Sequence, residues 1–192
     1  MTSYLRATTV VLAALDLVAL ALLHVLRPDV NAVTRPTSDY AHGDYSVLML
    51  FATVGVGVAA VALAVLVRPE VTGRFGPLGV GMLVFFGVAK VMQAFFPVDA
   101  GPQVTTTGFV HDTLGNIAFF ILPIAALCIA FGLGSRWSIG PAVALTVALV
   151  LVLTGAGGFG LAQRLFLVLG SGWLLVTALT VKSNHPVAAK PA

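Results

Sequence analysis

Asp99, His111 and Asp112 fall within one stretch, Ala94 to Phe119, that joins two long apolar runs and gathers these residues around one membrane surface. A carboxylate beside an imidazole can ligate a metal, pass a proton to or from water, or hold a polar headgroup. On a helix, adjacent side chains point about 100° apart, so His111 and Asp112 do not readily face one small ligand. Asp112 is better placed to serve the start of its helix, where carboxylates are favoured, or to reach Asn116 one turn on. The stronger partner for His111 is Arg164, which enters the last apolar run about as deep as His111 enters the fourth. A guanidinium there calls for a carboxylate, and Asp39 and Asp99 are both carried by connections able to fold over it. The same contacts would equally serve as a latch that holds these connections down.

Two further charges lie deep within apolar runs, where each costs several kcal/mol unless it is paired or reaches water. Asp16 is about ten residues into the first run, roughly 15 Å from its start, and Lys90 is about 14 residues into the third, so they differ in depth by about 6 Å. A lysine stem covers that gap. An Asp16–Lys90 ion pair locking the first helix to the third is expected, either as scaffold or, with Gln93 one turn further along, as a proton relay. His24 and His111, with Asp112, are weak metal candidates, and a haem held between helices is conceivable. However, the CxxCH attachment motif is absent and lone histidines at helix ends are ordinarily interfacial hydrogen-bonding residues. The sequence assigns no metal and no cofactor. It also lacks a GxSxG elbow, an HExxH pair, a Walker loop and a dinucleotide fingerprint.

The elements that must position these residues follow from composition. The chain has 192 residues, 59% hydrophobic and 9% charged, with a mean hydropathy of +1.05, which places it among membrane proteins. The net charge of +3 comes from scattered basic residues without a stripe or aromatic interleaving, which argues against nucleic acid as a partner. The single cysteine, Cys128, sits in an apolar run and reads as a packing residue. A bilayer core takes about 20 apolar residues per helix. Six runs qualify: Ala7 to Leu26, Ser46 to Val67, Pro77 to Phe96, Gly108 to Phe131, Ile139 to Leu153 and Gly160 to Val181. The first follows Arg6 like a signal peptide but has no cleavage site, so it reads as a retained helix. The expected fold is therefore an all-α, six-helix transmembrane bundle forming one domain over residues 1–192. Gly55 and Ala59 on the second helix, and Gly170 with Gly172 on the sixth, would mark close helix contacts or local bends. Trp137, Trp173 and Tyr45 would serve as interfacial or packing aromatics.

Six spans put both termini on one side. Arg6, Arg68, Arg74, Arg136, Lys182 and Lys190 fall on that side, against Arg27 and Arg35 on the other, so the termini are expected to be cytoplasmic and the location a cell membrane. The connection Arg27 to Tyr45 is too rich in proline and small polar residues for a continuous helix. In the next external connection, Pro97 would end the third helix and Thr105 to Thr107 would cap the fourth.

Ser38-Asp-Tyr-Ala-His-Gly43 leading into Tyr45-Ser-Val-Leu-Met49, then Phe96-Pro-Val-Asp99, Gly108-Phe-Val-His111 and Gly160-Leu-Ala-Gln-Arg164 occur in this order along nearly the whole chain. Together they resemble the bacterial domain-of-unknown-function family numbered nine-nine-eight, six-helix membrane proteins common in actinobacteria. The resemblance implies that Asp39, Tyr40, Gly43, Pro97, Asp99, His111 and Arg164 form a shared external patch. At Asp39 the family pattern has glutamate more often, and His42 is not a family position, so no zinc site through His42 is implied. The resemblance brings architecture and a site location, and no reaction.

Three functional classes follow. The first is a non-enzymatic membrane protein whose outer pocket, built from Asp39, Tyr40, Asp99, His111 and Arg164, binds a lipid headgroup, a small polar ligand, a partner subunit or a second copy. The second is an intramembrane lipid hydrolase, with or without a metal, using His111 with Asp99 or Asp39 around a water. The third is proton-coupled transport along Asp16, Lys90, Gln93 and His111, although the chain has no repeat of the kind that builds transporters.

Overall fold

In a bilayer the backbone must satisfy its own hydrogen bonds, and long apolar runs do so as helices. The computed structural model describes residues 1–181, so Lys182 and Lys190 lie outside the described residues. It contains α1 (Thr2–Leu26), α2 (Ser46–Val67), α3 (Phe75–Gln93), α4 (Thr106–Leu133), α5 (Arg136–Thr154) and α6 (Phe159–Thr180), with a short 3-10 turn at Thr37–Ala41. All six helices are long and apolar enough to cross a membrane, and no strand occurs among the described residues.

The boundaries follow local chemistry. α3 stops at Gln93, three residues short of the predicted Phe96, because Pro97 pushes the residue before it out of the helical region and cannot donate an amide. α4 begins as its threonines suggest: Thr105 is the N-cap and its side chain accepts from the Gly108 amide at 3.0 Å. α5 extends over 19 residues, beyond the 139–153 expected, and ends at Gly155, whose φ of 66° is the left-handed cap that glycine adopts without strain.

Successive helices pack side by side in chain order, and α6 closes the ring against α1. The Arg6 guanidinium donates to the carbonyls of Leu179 at 3.4 Å and Val181 at 2.7 Å, so the start of α1 and the end of α6 share one face, called here the terminal face. The opposite loop face carries the connections 27–45, 94–105 and 155–158.

Apolar burial drives little association in lipid, so close backbone approach has to substitute for it. The tightest approaches are not those expected from sequence. Gly57 on α2 and Gly87 on α3 face each other, and a Cβ on either would lie 2.6 Å from the other's carbonyl oxygen. Gly79 packs on Cys128 and Ile129 of α4, and Gly132 packs on the Gly76 backbone. Gly55 makes only an ordinary contact with Leu12, Gly172 faces open space, and Gly170 closes on Leu122. Ala59 and Trp173 are fully buried, whereas Trp137 and Tyr45 are exposed. Replacing Gly87 by alanine should therefore destabilise the protein by about 1–3 kcal/mol through overpacking. Gly172→Ala should leave stability unchanged or slightly raised; melting temperatures in detergent compare the two.

Candidate functional site

The first four amides of a helix have no partner within it. At the loop face the first connection supplies partners to α6: the Val33 carbonyl accepts from the Gly160 amide at 2.9 Å and the Leu161 amide at 3.3 Å. This approach requires glycine, because a Cβ on Gly160 would collide with the carbonyls of Arg35 and Ala32. Arg164, one turn into α6, donates to the carbonyls of Ala32 (3.0 Å), Arg35 (2.8 Å) and Gly160 (3.0 Å) and to the Tyr40 hydroxyl (2.9 Å). Its guanidinium also lies 5.3 Å from the Tyr40 ring centroid, and Tyr40 is 1% exposed. The buried Gln163 side chain accepts from both the amide (2.7 Å) and the hydroxyl (3.2 Å) of Thr37. At the other end of the connection, Arg27 grips Asp29 and the carbonyls of His42 and Asp44.

This arrangement corrects the expected Arg164–carboxylate pair. Asp39 pairs instead with the exposed Arg35 four residues before it. Backbone carbonyls and a tyrosine satisfy Arg164, and five N–H donors in a rigid fork suit such a set. Asp99 is engaged elsewhere too. Its carboxylate accepts from the Thr105 hydroxyl at 2.6 Å and the Thr105 amide at 3.0 Å, securing the turn that starts α4. Those bonds hold the Asp99 carboxyl below its ordinary pKa. A Cβ on Gly108 would strike this carboxylate, which accounts for the glycine.

A cavity of about 540 Å³ lies beneath these connections, walled by α1, α2, α3, α4 and α6. Its walls are largely apolar, with Leu50, Phe86, Phe96, Phe119 and Phe166 among them, and the Phe119 and Phe166 rings meet at 4.8 Å where α4 and α6 approach. Asp16, Lys90, Gln93, His111, Asp112 and Asn116 also line it, whereas Asp39, Tyr40, Asp99 and Arg164 do not. The cavity and the latch over it are therefore separate sets, although the sequence reading merged them. Asp112 and Asn116 line the cavity yet are exposed, so it opens along that side of α4.

Asp16 and Lys90 share this cavity without forming the expected ion pair. Asp16, 7% exposed, accepts from the Ser171 hydroxyl on α6, tying α1 to α6 rather than to α3. Lys90 donates to the Gln93 side chain at 2.6 Å, and Gln93 in turn donates to the His111 carbonyl at 3.1 Å, bridging α3 to α4. His111 Nδ1 lies 2.7 Å from the Phe96 carbonyl; since a carbonyl only accepts, Nδ1 carries the proton. Among the described residues no group of three or more His, Cys, Asp or Glu side chains is arranged for a metal. His24, exposed at the end of α1, does not line the cavity with His111 and Asp112. Gln163 and Ser171 were not singled out from sequence; a neutral polar side chain in an apolar run costs too little to stand out, although both lie in the same span as Arg164.

Two outcomes test these assignments. Arg164→Lys keeps the charge and loses the fork, so hydrogen exchange of the Gly160 and Leu161 amides, which donate to the Val33 carbonyl, should accelerate about tenfold as the connection lifts. Asp39→Asn, which removes only an exposed pair, should change that rate by less than about twofold. For Asp99 the lowered carboxyl means that its contribution is present above the ordinary pKa of 3.8 and lost as pH falls through the lower folded value. Amide exchange at residues 105–109, corrected for intrinsic rate, should therefore be protected at neutral pH and unprotected in strong acid. Asp99→Asn should be unprotected at both.

No curated protein and no solved structure matches the chain. A profile of the family described as Protein of unknown function (DUF998) matches residues 10–180. That match begins within α1 and ends at the last residue of α6, taking in the latch, the cavity walls and the connections between them. This chain, whose described residues form six helices long and apolar enough to cross a membrane, belongs to the DUF998 family.

Proposed function

We propose that the protein is a non-enzymatic, multi-pass membrane protein whose loop-face cavity binds the polar end of an amphiphile. The observation that carries this reading is the mismatch inside the cavity. Its walls are mostly apolar, yet Lys90 and Asp16 each make a single hydrogen bond to protein, to Gln93 and Ser171, and keep further donor and acceptor capacity. A volume of about 540 Å³ lies within the range of small-molecule sites. The opening beside Asp112 and Asn116 suits a ligand that arrives from the bilayer with its headgroup leading. With Arg6, Arg68, Arg74 and Arg136 on the terminal face and Arg27 and Arg35 opposite, the positive-inside rule favours cytoplasmic termini in a cell membrane and a cavity open toward the outer leaflet. Hydrolysis at His111 has less support, because Asp39 and Asp99 are turned to other partners and do not reach the cavity.

Native mass spectrometry of protein extracted in mild detergent tests the proposal. The wild type should carry a bound amphiphile. Leu50→Trp and Thr53→Phe, which fill the cavity from α2, should lose at least about nine-tenths of it, a shift of roughly 1.4 kcal/mol, while keeping the wild-type melting temperature. A wild type with nothing bound, or occupancy unchanged in both folded variants, overturns it.

A further inference from the structure

We infer that the cavity selects a zwitterion, with Lys90 receiving an acidic group and Asp16 an ammonium; this deepens the binding reading and rests on it. Two opposite charges inside one apolar enclosure would be expected to pair, since an unpaired charge there is costly. Here each is held on its own wall. The Ser171 hydroxyl tethers Asp16 toward α6, and Gln93, itself anchored to the His111 carbonyl, tethers Lys90 toward α4.

Both tethers are neutral and both leave valences unused. Ser171 occupies one carboxylate oxygen of Asp16, and the second has no protein partner. An ammonium has three N–H donors, and Gln93 takes one of those on Lys90. A neutral guest would leave the two charges attracting each other only at a distance, each in contact with nothing but its neutral tether. A simple anion would satisfy Lys90 and bring its charge toward Asp16, and a simple cation would do the reverse. A guest with both charges a few bonds apart satisfies both, and like-charge opposition discriminates against the others.

Such a zwitterion could be the phosphoethanolamine headgroup of a lipid or a free amino acid. Native mass spectrometry in neutral maltoside detergent separates these sources, using phosphatidylethanolamine, phosphatidylglycerol, diacylglycerol, free phosphoethanolamine and free leucine as probes. Phosphatidylethanolamine should bind at least tenfold more tightly than phosphatidylglycerol or diacylglycerol. Asp16→Asn should abolish that preference and bind phosphatidylglycerol more tightly than the wild type does; Lys90→Gln should weaken both phospholipids. Should Asp16→Asn fail to fold, Ser171→Ala unties the same carboxylate and should likewise reduce the preference. Competition by free phosphoethanolamine or leucine at comparable concentration assigns the soluble source, and its failure assigns the lipid; either result supports a zwitterion site. Phospholipids that bind without preference, or a preference that survives Asp16→Asn, overturn the zwitterion inference while leaving the cavity a binding site. Absence of binding by every probe overturns both.

Discussion

The first amides of α6 and the carbonyl of Val33 set the terms for the loop face. A helix that starts at a membrane boundary has four donors to satisfy, and here another segment of the chain supplies acceptors in place of side-chain caps or water. That choice imposes glycine at position 160, because the carbonyls of the first connection must approach the helix closely. It also gives Arg164 its role of gathering three carbonyls and the Tyr40 hydroxyl at one point. With the connection fixed there, Thr37 reaches Gln163 and the cavity acquires a roof.

Beneath that roof, the interior is organised by keeping two charges apart. Ser171 and Gln93 are small changes in composition with large consequences: each diverts a charged side chain from the partner that depth alone would have chosen. The Lys90–Gln93–His111 chain also joins α3 to α4 across the short α3–α4 connection, and Gly115 leaves just enough room for the Gln93 amide. The polar groups of the cavity are thus part of the helix packing as well as of the site.

Helix number and span were legible in the sequence because roughly 20-residue apolar runs are a compositional signal that lipid imposes directly. The Thr105 cap was legible because its chemistry is local. The depth of Asp16 and Lys90 was also readable, since rise per residue is fixed. Their azimuth was not, because spans that are apolar on every side carry little periodicity to orient them, and so a shared cavity looked like a salt bridge. The Arg164 pairing failed for a different reason. Charges are written in a sequence, whereas the backbone carbonyls that satisfy this guanidinium are present at every position and mark none. The tight Gly57–Gly87 contact was missed on similar grounds, since each glycine lies in a different helix and spacing within one helix does not reveal it.

The ring closes where Arg6 meets the carbonyls of Leu179 and Val181, joining α1 to α6. α6 brings Ser171 to Asp16, Gln163 to Thr37 and the latch that holds the roof. During synthesis, five helices can enter the membrane with Asp16 untethered and the first connection undocked, and the sixth completes both. The cavity is consequently a property of the bundle with α6 in place, because without that helix Asp16 lacks its Ser171 tether and the first connection lacks the Arg164 anchor.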